Sequence, residues 1–114
     1  MISGFNRDAD GLWIAKDPDA DLDYSVVWAD WLQDAEVIAS VAWTVPSGLV
    51  GHDPLVNAAP VTIDGRQHRL GTVPSIFISG GSAGTTYTVG CRITTNATPP
   101  RTDERSFRLV VRQR

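Results

Sequence analysis

Apolar residues along this chain recur two apart far more often than three or four apart, the period of strands half-buried in a sheet. Leu22, Tyr24, Val26 and Trp28 alternate with Asp23, Ser25 and Val27. Val37, Ala39, Val41, Trp43 and Val45 then form one face against Ile38, Ser40, Ala42 and Thr44, until Pro46-Ser47-Gly48 stops the run. From Leu49 to Leu70, Pro54, Pro60 and Gly65 leave only short pieces, among them Val61-Thr62-Ile63 and Gln67-His68-Arg69, with the hairpin pair Asp64-Gly65 between them. Val73 to Ser79 reads as a strand that Gly80-Gly81-Ser82-Ala83-Gly84 ends, and Thr85 to Thr95 follows with Tyr87, Val89, Cys91 and Ile93 aligned. These two are expected to pair as neighbours across the turn. After the loop from Asn96 to Arg101, Ser106 to Arg112 sets Phe107, Leu109 and Val111 inward and Arg108, Val110 and Arg112 outward. No segment carries a helical period.

About seven short strands with turn signals near every tenth residue predict an all-β fold, an immunoglobulin-like two-sheet sandwich of antiparallel strands. Trp43, central on its strand, and Tyr87, just after a glycine-rich corner, are the expected core markers, together with Trp28 and Phe107 in strand register. Residues 1–11 have no sustained period and hold two glycines and three charges, so they are expected to be a flexible tail ahead of one domain over 12–114.

A chain of 114 residues suits one domain with one core. The single cysteine, Cys91, excludes an internal disulfide, so stability must come from packing and a reducing compartment is compatible. No apolar run approaches the roughly 18 to 20 residues that cross a bilayer as a helix, and Met1 to Trp13 lacks the pattern of a signal peptide. The expectation is a protein soluble where it is made, with no membrane partner.

Charge is unevenly placed. Residues 1–36 hold nine acids against Arg7 and Lys16, and residues 37–114 hold four acids against eight arginines, giving −7 and +4 for the net −3. Such polarity suits either docking between unlike surfaces or pairing inside one chain. The arginines at 101, 105, 108, 112 and 114 raise nucleic-acid binding as a possibility. The acidic whole and the lack of an interleaved RNA or DNA motif weigh against it and favour pairing with the acidic N-terminal third.

Candidate chemistry is sparse. Asp17-Pro18-Asp19-Ala20-Asp21-Leu22-Asp23 resembles the start of a calcium loop, but the sixth and twelfth places hold Leu22 and Trp28 where glycine and glutamate are needed. His52 and His68 match no zinc spacing with Cys91, Asp53 or Asp64. No G-x-S-x-G elbow and no base for Cys91 suggest a nucleophile, and Gly80 to Gly84 opens neither a helix nor a Gly-Lys pair. Asn96-Ala97-Thr98 matches a glycosylation acceptor only formally. A hydrolase using Asp19, Asp21 and His52 requires those groups to share a cleft. A carbohydrate- or cell-surface-binding module requires exposed aromatics, with Trp13, Trp31 and Phe77 the candidates. No catalytic, cofactor or metal residue is expected. The expected interaction surface comprises Phe5, Trp13, Trp31, Asp17, Asp19, Arg105 and Arg108.

The order of several segments carries a more specific signal. Lys16-Asp17-Pro18-Asp19-Ala20, Leu22-Asp23-Tyr24, Trp28-x-x-Trp31-Leu32, Ile38-Ala39-Ser40-Val41-x-Trp43-Thr44-Val45, Ser79-Gly80-Gly81-x-Ala83-Gly84-Thr85-Thr86-Tyr87-Thr88-Val89, Arg92-Ile93-Thr94-Thr95 and Arg101-Thr102-Asp103-Glu104-Arg105-Ser106-Phe107-Arg108-Leu109 follow one another along nearly the whole chain past Leu12. Together they resemble small tail proteins of bacteriophages and prophages of the fiber-tail adaptor type, with Val27 and the stretch from Val50 to Leu70 departing from the pattern. The resemblance implies a non-enzymatic virion structural protein, made in the bacterial host cytoplasm and carried in the tail region. Its implied partners are other phage structural proteins of the tail, neck or fiber, with a homo-oligomeric ring as one form of assembly.

Overall fold

The computed structural model of the chain describes residues 5–113. Among them are ten strands and no helix: β1 Asn6–Asp8, β2 Gly11–Lys16, β3 Leu22–Ser25, β4 Ile38–Thr44, β5 Leu49–Val56, β6 Val61–Ile63, β7 Arg66–His68, β8 Pro74–Gly80, β9 Thr86–Thr95 and β10 Thr102–Val111. Five strands form one sheet in the order β1-β2-β10-β9-β4, three form a second in the order β3-β8-β5, and β6-β7 is a separate hairpin. All pairings are antiparallel except β2 with β10, which run parallel from Leu12↔Phe107 to Lys16↔Val111.

The two larger sheets share one core. Tyr24, Val26, Trp28, Ile76 and Ile78 come from β3, its continuation and β8, and they pack with Val89, Cys91 and Ile93 of β9 and Phe107 and Leu109 of β10. The Tyr24 and Phe107 rings stack across the sheets with centroids 6.0 Å apart. The alternation from Leu22 to Trp28 therefore does what its period implies. Tyr24 and Trp28 are buried, and the backbone continues to bond β8 past the strand end through Val26 N–H to Pro74 O and Trp28 N–H to Thr72 O.

The all-β expectation agrees with these elements, while ten strands stand in place of about seven, and β8 and β9, expected to pair across the glycine-rich turn, lie in different sheets. The expected hairpin forms as β6 and β7, joined by Asp64 and Gly65 at φ 51° and 78°, the left-handed pair such a two-residue hairpin requires. β5 arises where the pattern is broken, and β1 lies inside the segment expected to be a tail. Asn6 pairs with Trp13 and Asp8 with Gly11, and the Phe5 ring lies 4.8 Å from that of Phe107. Strand structure thus begins at Asn6 rather than at Leu12. Residues 1–4 of the expected tail and Arg114 lie outside the described residues.

Two core markers sit differently from expectation. Trp28 and Phe107 are 0% and 2% exposed, but Trp43 and Tyr87 are half-buried at the margin of the core. Trp43 is on β4, the terminal strand of its sheet, so its inner face meets the core without a neighbouring strand to cover its other side. The strict alternation of that strand is also broken. The register shifts between Ile38 and Ser40, so Ile38 falls on the core side along with Val41, Trp43 and Val45. Tyr87 lays its ring against Gly48, where a Cβ would stand 3.0 Å from the phenol oxygen, and that oxygen accepts the Ser82 N–H at 3.1 Å.

Candidate interaction surface

Between β3 and β4 the chain crosses from one sheet to the other, and three arginines of the C-terminal region hold this crossing and the N-terminal hairpin. Arg101 pairs with Glu36 through two guanidinium nitrogens, with Nε to Oε2 at 2.9 Å, and its guanidinium carbon lies 4.0 Å from the centre of the Trp31 ring. Arg105 donates to the Val27 carbonyl at 2.7 Å and to Asp30 Oδ1 at 3.2 Å, over the Trp28 ring at 4.3 Å. Arg108 pairs with Asp8 of β1. Planar guanidinium groups suit such combined stacking and forked bonding. Hydrogen bonds from Arg101, then from the Gln33 backbone and from Thr95, hold the Glu36 carboxyl down at about 2 against the opposing effect of burial. The acidic third and the basic C-terminus are therefore joined within one chain at these three places.

A second ionic cluster lies on the other sheet. His52 Nδ1 meets Asp53 Oδ2 at 2.7 Å and Nε2 meets Asp21 Oδ1 at 2.8 Å, while its ring stacks on Phe77 at 5.3 Å. Carboxylates on both nitrogens, Asp53 first and Asp21 second, raise the imidazole above 6.5. Asp19 is exposed, and its N–H bonds Asp17 Oδ1 at 2.9 Å. Asp21 and His52 come together without Asp19 in either of the two clefts described below. Among the described residues no group of three or more His, Cys, Asp or Glu side chains is placed to hold a metal ion. Lys16 is buried, with Nζ donating to Asp17 O at 2.9 Å and Gly80 O at 2.7 Å, so it ties the end of β2 to the end of β8. Desolvation lowers its ammonium, against the pull of Asp17, Asp21 and Asp19.

Two concave places stand out among the described residues. The larger, a cleft of about 480 Å³, opens where β3 meets the β1-β2-β10 side of the other sheet beneath the β6-β7 hairpin. Phe5, Leu12, Ile63 and Phe107 give it an apolar lining, and Arg7, Arg66 and Arg105 bring guanidinium groups to it against one carboxylate, Asp64. Ser25 also lines it, 1% exposed, with an Oγ that finds no hydrogen-bond partner among the described residues. The smaller, about 250 Å³, lies between β4 and β5 and is lined by Val41, Trp43, Leu55 and Val56 among others. The buried Trp43 Nε1 has no partner there, and Val50 and Leu55 on β5 are 59% and 52% exposed.

Of the residues expected on an interaction surface, Phe5 and Arg105 line the larger cleft, while Arg105 and Arg108 are engaged in the internal pairs above. Trp31 has one face under Arg101 and meets Trp28 edge-on, with ring centroids 5.5 Å apart, and Trp13 lies 5.9 Å beneath Arg112. Trp13, Trp31 and Phe77 are all half-buried, each with one ring face against a neighbour, and they form no common platform. Asp17 is half-buried beside the Lys16 ammonium, whereas Asp19 is open to solvent. Sequence reasoning missed Ser25, Ile63 and Arg66 because they gather only when the hairpin folds over β3. The Asp64-Gly65 signal was the one available hint that it would.

A family model described as Podophage GP4 fiber-tail adaptor protein gp77 matches residues 16–110. No curated protein matches the chain.

Proposed function

The chain belongs to the podophage fiber-tail adaptor family, and on that footing we propose that it is a non-enzymatic structural protein of a phage or prophage virion that joins fiber or neck components to the tail. The observation that carries this reading is the extent of the match. It runs from Lys16, the last residue of β2, to Val110 near the end of β10, so every strand of the β3-β8-β5 sheet and most of the other lies within it.

The architecture supports an assembly role carried by an immunoglobulin-like sandwich. With β1 and the β6-β7 hairpin set aside, seven strands fall as β2-β10-β9-β4 and β3-β8-β5. We read this as an immunoglobulin-like arrangement that departs from the constant-type order, in which the first strand would join the β3-β8-β5 sheet, because β2 pairs in parallel with β10. The terminal strands β3, β4 and β5 and the exposed Val50 and Leu55 offer edge and apolar contacts to neighbouring tail proteins, or to further copies of the chain in a ring. Engagement of Arg101, Arg105 and Arg108 inside the chain favours protein over nucleic acid as the partner. No helix of the described residues is long and apolar enough to cross a membrane. The protein is made in the host cytoplasm and resides in the tail region.

The test is complementation in vitro. Phage particles assembled without this chain should carry heads and tails but few fibers, and purified chain should restore fiber attachment and infectivity. Full fiber occupancy on particles that lack the chain would refute the adaptor role.

A further inference from the structure

Three features of the 480 Å³ cleft converge on one kind of occupant. Its apolar lining joins the five-stranded sheet to the β6-β7 hairpin, with Phe5 and Leu12 from the N-terminal hairpin, Phe107 from β10 and Ile63 from β6. Burying one branched aliphatic side chain against such a surface removes its apolar area from water, which favours association. The charge at the mouth is lopsided. Arg7 and Arg66 make no ion pair among the described residues, unlike Arg101, Arg105 and Arg108, and only Asp64 adds a carboxylate to the cleft. The Ser25 hydroxyl is buried there without a partner, and a buried hydroxyl in that state is costly until something bonds it. A hydroxyl both donates and accepts, so the amide groups of a peptide backbone can satisfy it in either sense.

Shape adds a further constraint. Ser25, Val26 and Val27 all line the cleft, so one of its walls follows the terminal strand of the three-stranded sheet and its continuation. A chain laid along that direction rises about 3.3 Å per residue, with alternate side chains facing opposite ways. One side chain then enters the apolar floor while its neighbours turn toward the guanidinium groups at the mouth.

We propose that this cleft binds an extended acidic segment of a neighbouring tail protein, with an aliphatic side chain seated on Phe5, Leu12, Ile63 and Phe107 and flanking carboxylates held by Arg7 and Arg66. The inference rests on the adaptor reading and names the place and chemistry of one of its contacts. Partner selection follows from charge. A basic segment meets Arg7 and Arg66 with like charge and is turned away, and a polar one leaves the floor wet.

The experiment is a titration of the full-length, nitrogen-15-labelled chain with a capped hexapeptide, Thr-Asp-Leu-Asp-Val-Thr, followed by amide chemical shifts. Shifts centred on Ser25, Val27, Ile63 and Arg66 are expected, and the counterpart with lysine at both aspartates should bind at least about tenfold more weakly, as the loss of two partly desolvated charge pairs implies. The Arg7→Glu, Arg66→Glu double variant, whose side chains are exposed and should leave the dispersed spectrum intact, should invert that preference. Equal binding of both peptides, or shifts centred on β4 and β5, overturns the proposal. So does peptide binding that appears only when residues 1–4 are removed, which assigns the cleft to the chain's own N-terminus, or spectral changes with protein concentration alone, which assign it to a second copy. The double variant is also added to fiberless particles. If it attaches fibers as well as the wild type, the cleft assignment falls while the adaptor role stands; if the wild type attaches none, the adaptor role itself falls.

Discussion

Replacing Trp28 by alanine should be far more damaging than replacing Trp43, although both lie in strand-period runs of the sequence. Trp28 is 0% exposed, so its loss carries the full cost of a large buried ring, about 3 to 5 kcal/mol. It also loses the edge contact with Trp31 at 5.5 Å and the stacked Arg105 at 4.3 Å, which are worth about 0.5 to 1.5 and 0.5 to 1 kcal/mol in such settings. Little hydrogen bonding offsets this. The Trp28 Nε1 finds no oxygen or nitrogen acceptor and lies against the weakly accepting sulfur of Cys91. The expected loss is at the top of the range, about 4 to 5 kcal/mol, which approaches the whole stability of many domains of this size. Trp43, half-buried on a terminal strand, should cost roughly half as much, about 2 kcal/mol. Urea unfolding followed by far-ultraviolet circular dichroism measures both. With a slope of about 2 kcal/mol/M, the midpoint should fall by about 2 M for Trp28→Ala and about 1 M for Trp43→Ala. Equal shifts, or a larger one for Trp43, would mean that the core is centred on the β4 side and that the arrangement described above is wrong.

The remaining predictions concern charge, conformation and reactivity. His52 titrates above 6.5 in the folded chain, so its contribution is present below about that pH and is lost as pH rises through the raised value. The melting temperature of His52→Gln should therefore trail the wild type near pH 5.5 and converge with it near pH 9, and a gap independent of pH would contradict the paired imidazolium. Glu36 titrates near 2, below its ordinary 4.5, so its contribution is present above about 4.5 and is lost as pH falls through about 2. Glu36→Gln should melt lower at neutral pH and lose the acid-side slope seen in the wild type, and an unchanged slope would show that Arg101 does not depend on this carboxylate. Gly71 has φ 75°, and an added Cβ would stand 2.8 Å from Val37, so Gly71→Ala should cost more than about 1 kcal/mol by urea unfolding. A neutral effect would contradict that close approach. Burial pushes the Cys91 thiol up to about 11, so a thiol reagent at pH 8 should label the unfolded chain quickly and the folded chain only through unfolding.

Period-two reading located the strands where one face meets the core and the other meets water. Leu22 to Trp28, Val73 to Ser79 and Thr85 to Thr95 coincide closely with β3, β8 and β9 because their inward residues are apolar without interruption. β5 was unreadable for the opposite reason. It is a terminal strand with Val50 and Leu55 turned outward, and its register shifts between His52 and Leu55, where Asp53 adopts a positive φ. The first half of β10, Thr102 to Ser106, is polar and largely exposed although it pairs with Gly90 to Thr94 of β9, so its backbone ladder leaves no apolar trace. Trp28, on the continuation of β3, and Trp43, on β4, both belong to terminal strands, and Trp28 is the buried one because Trp31 and Arg105 close over its ring, contacts that alternation does not encode. The arginine pairs were legible as an imbalance between the two ends of the chain, but their partners at Asp8, Asp30 and Glu36 required the parallel pairing of β2 with β10 and the crossing between sheets. The cleft was the least legible, since its walls come from six strands, β1, β2, β3, β6, β7 and β10, spread along the sequence.

The most direct test of the adaptor role is a cryo-electron microscopy map of an intact particle carrying this chain, at a resolution that separates strands. The account predicts density for the two-sheet domain at the junction between tail and fiber or neck components, with an extended segment of a neighbour in the cleft beside Ser25. A particle whose junction is fully occupied by other proteins, with this chain absent or far from it, would contradict the account.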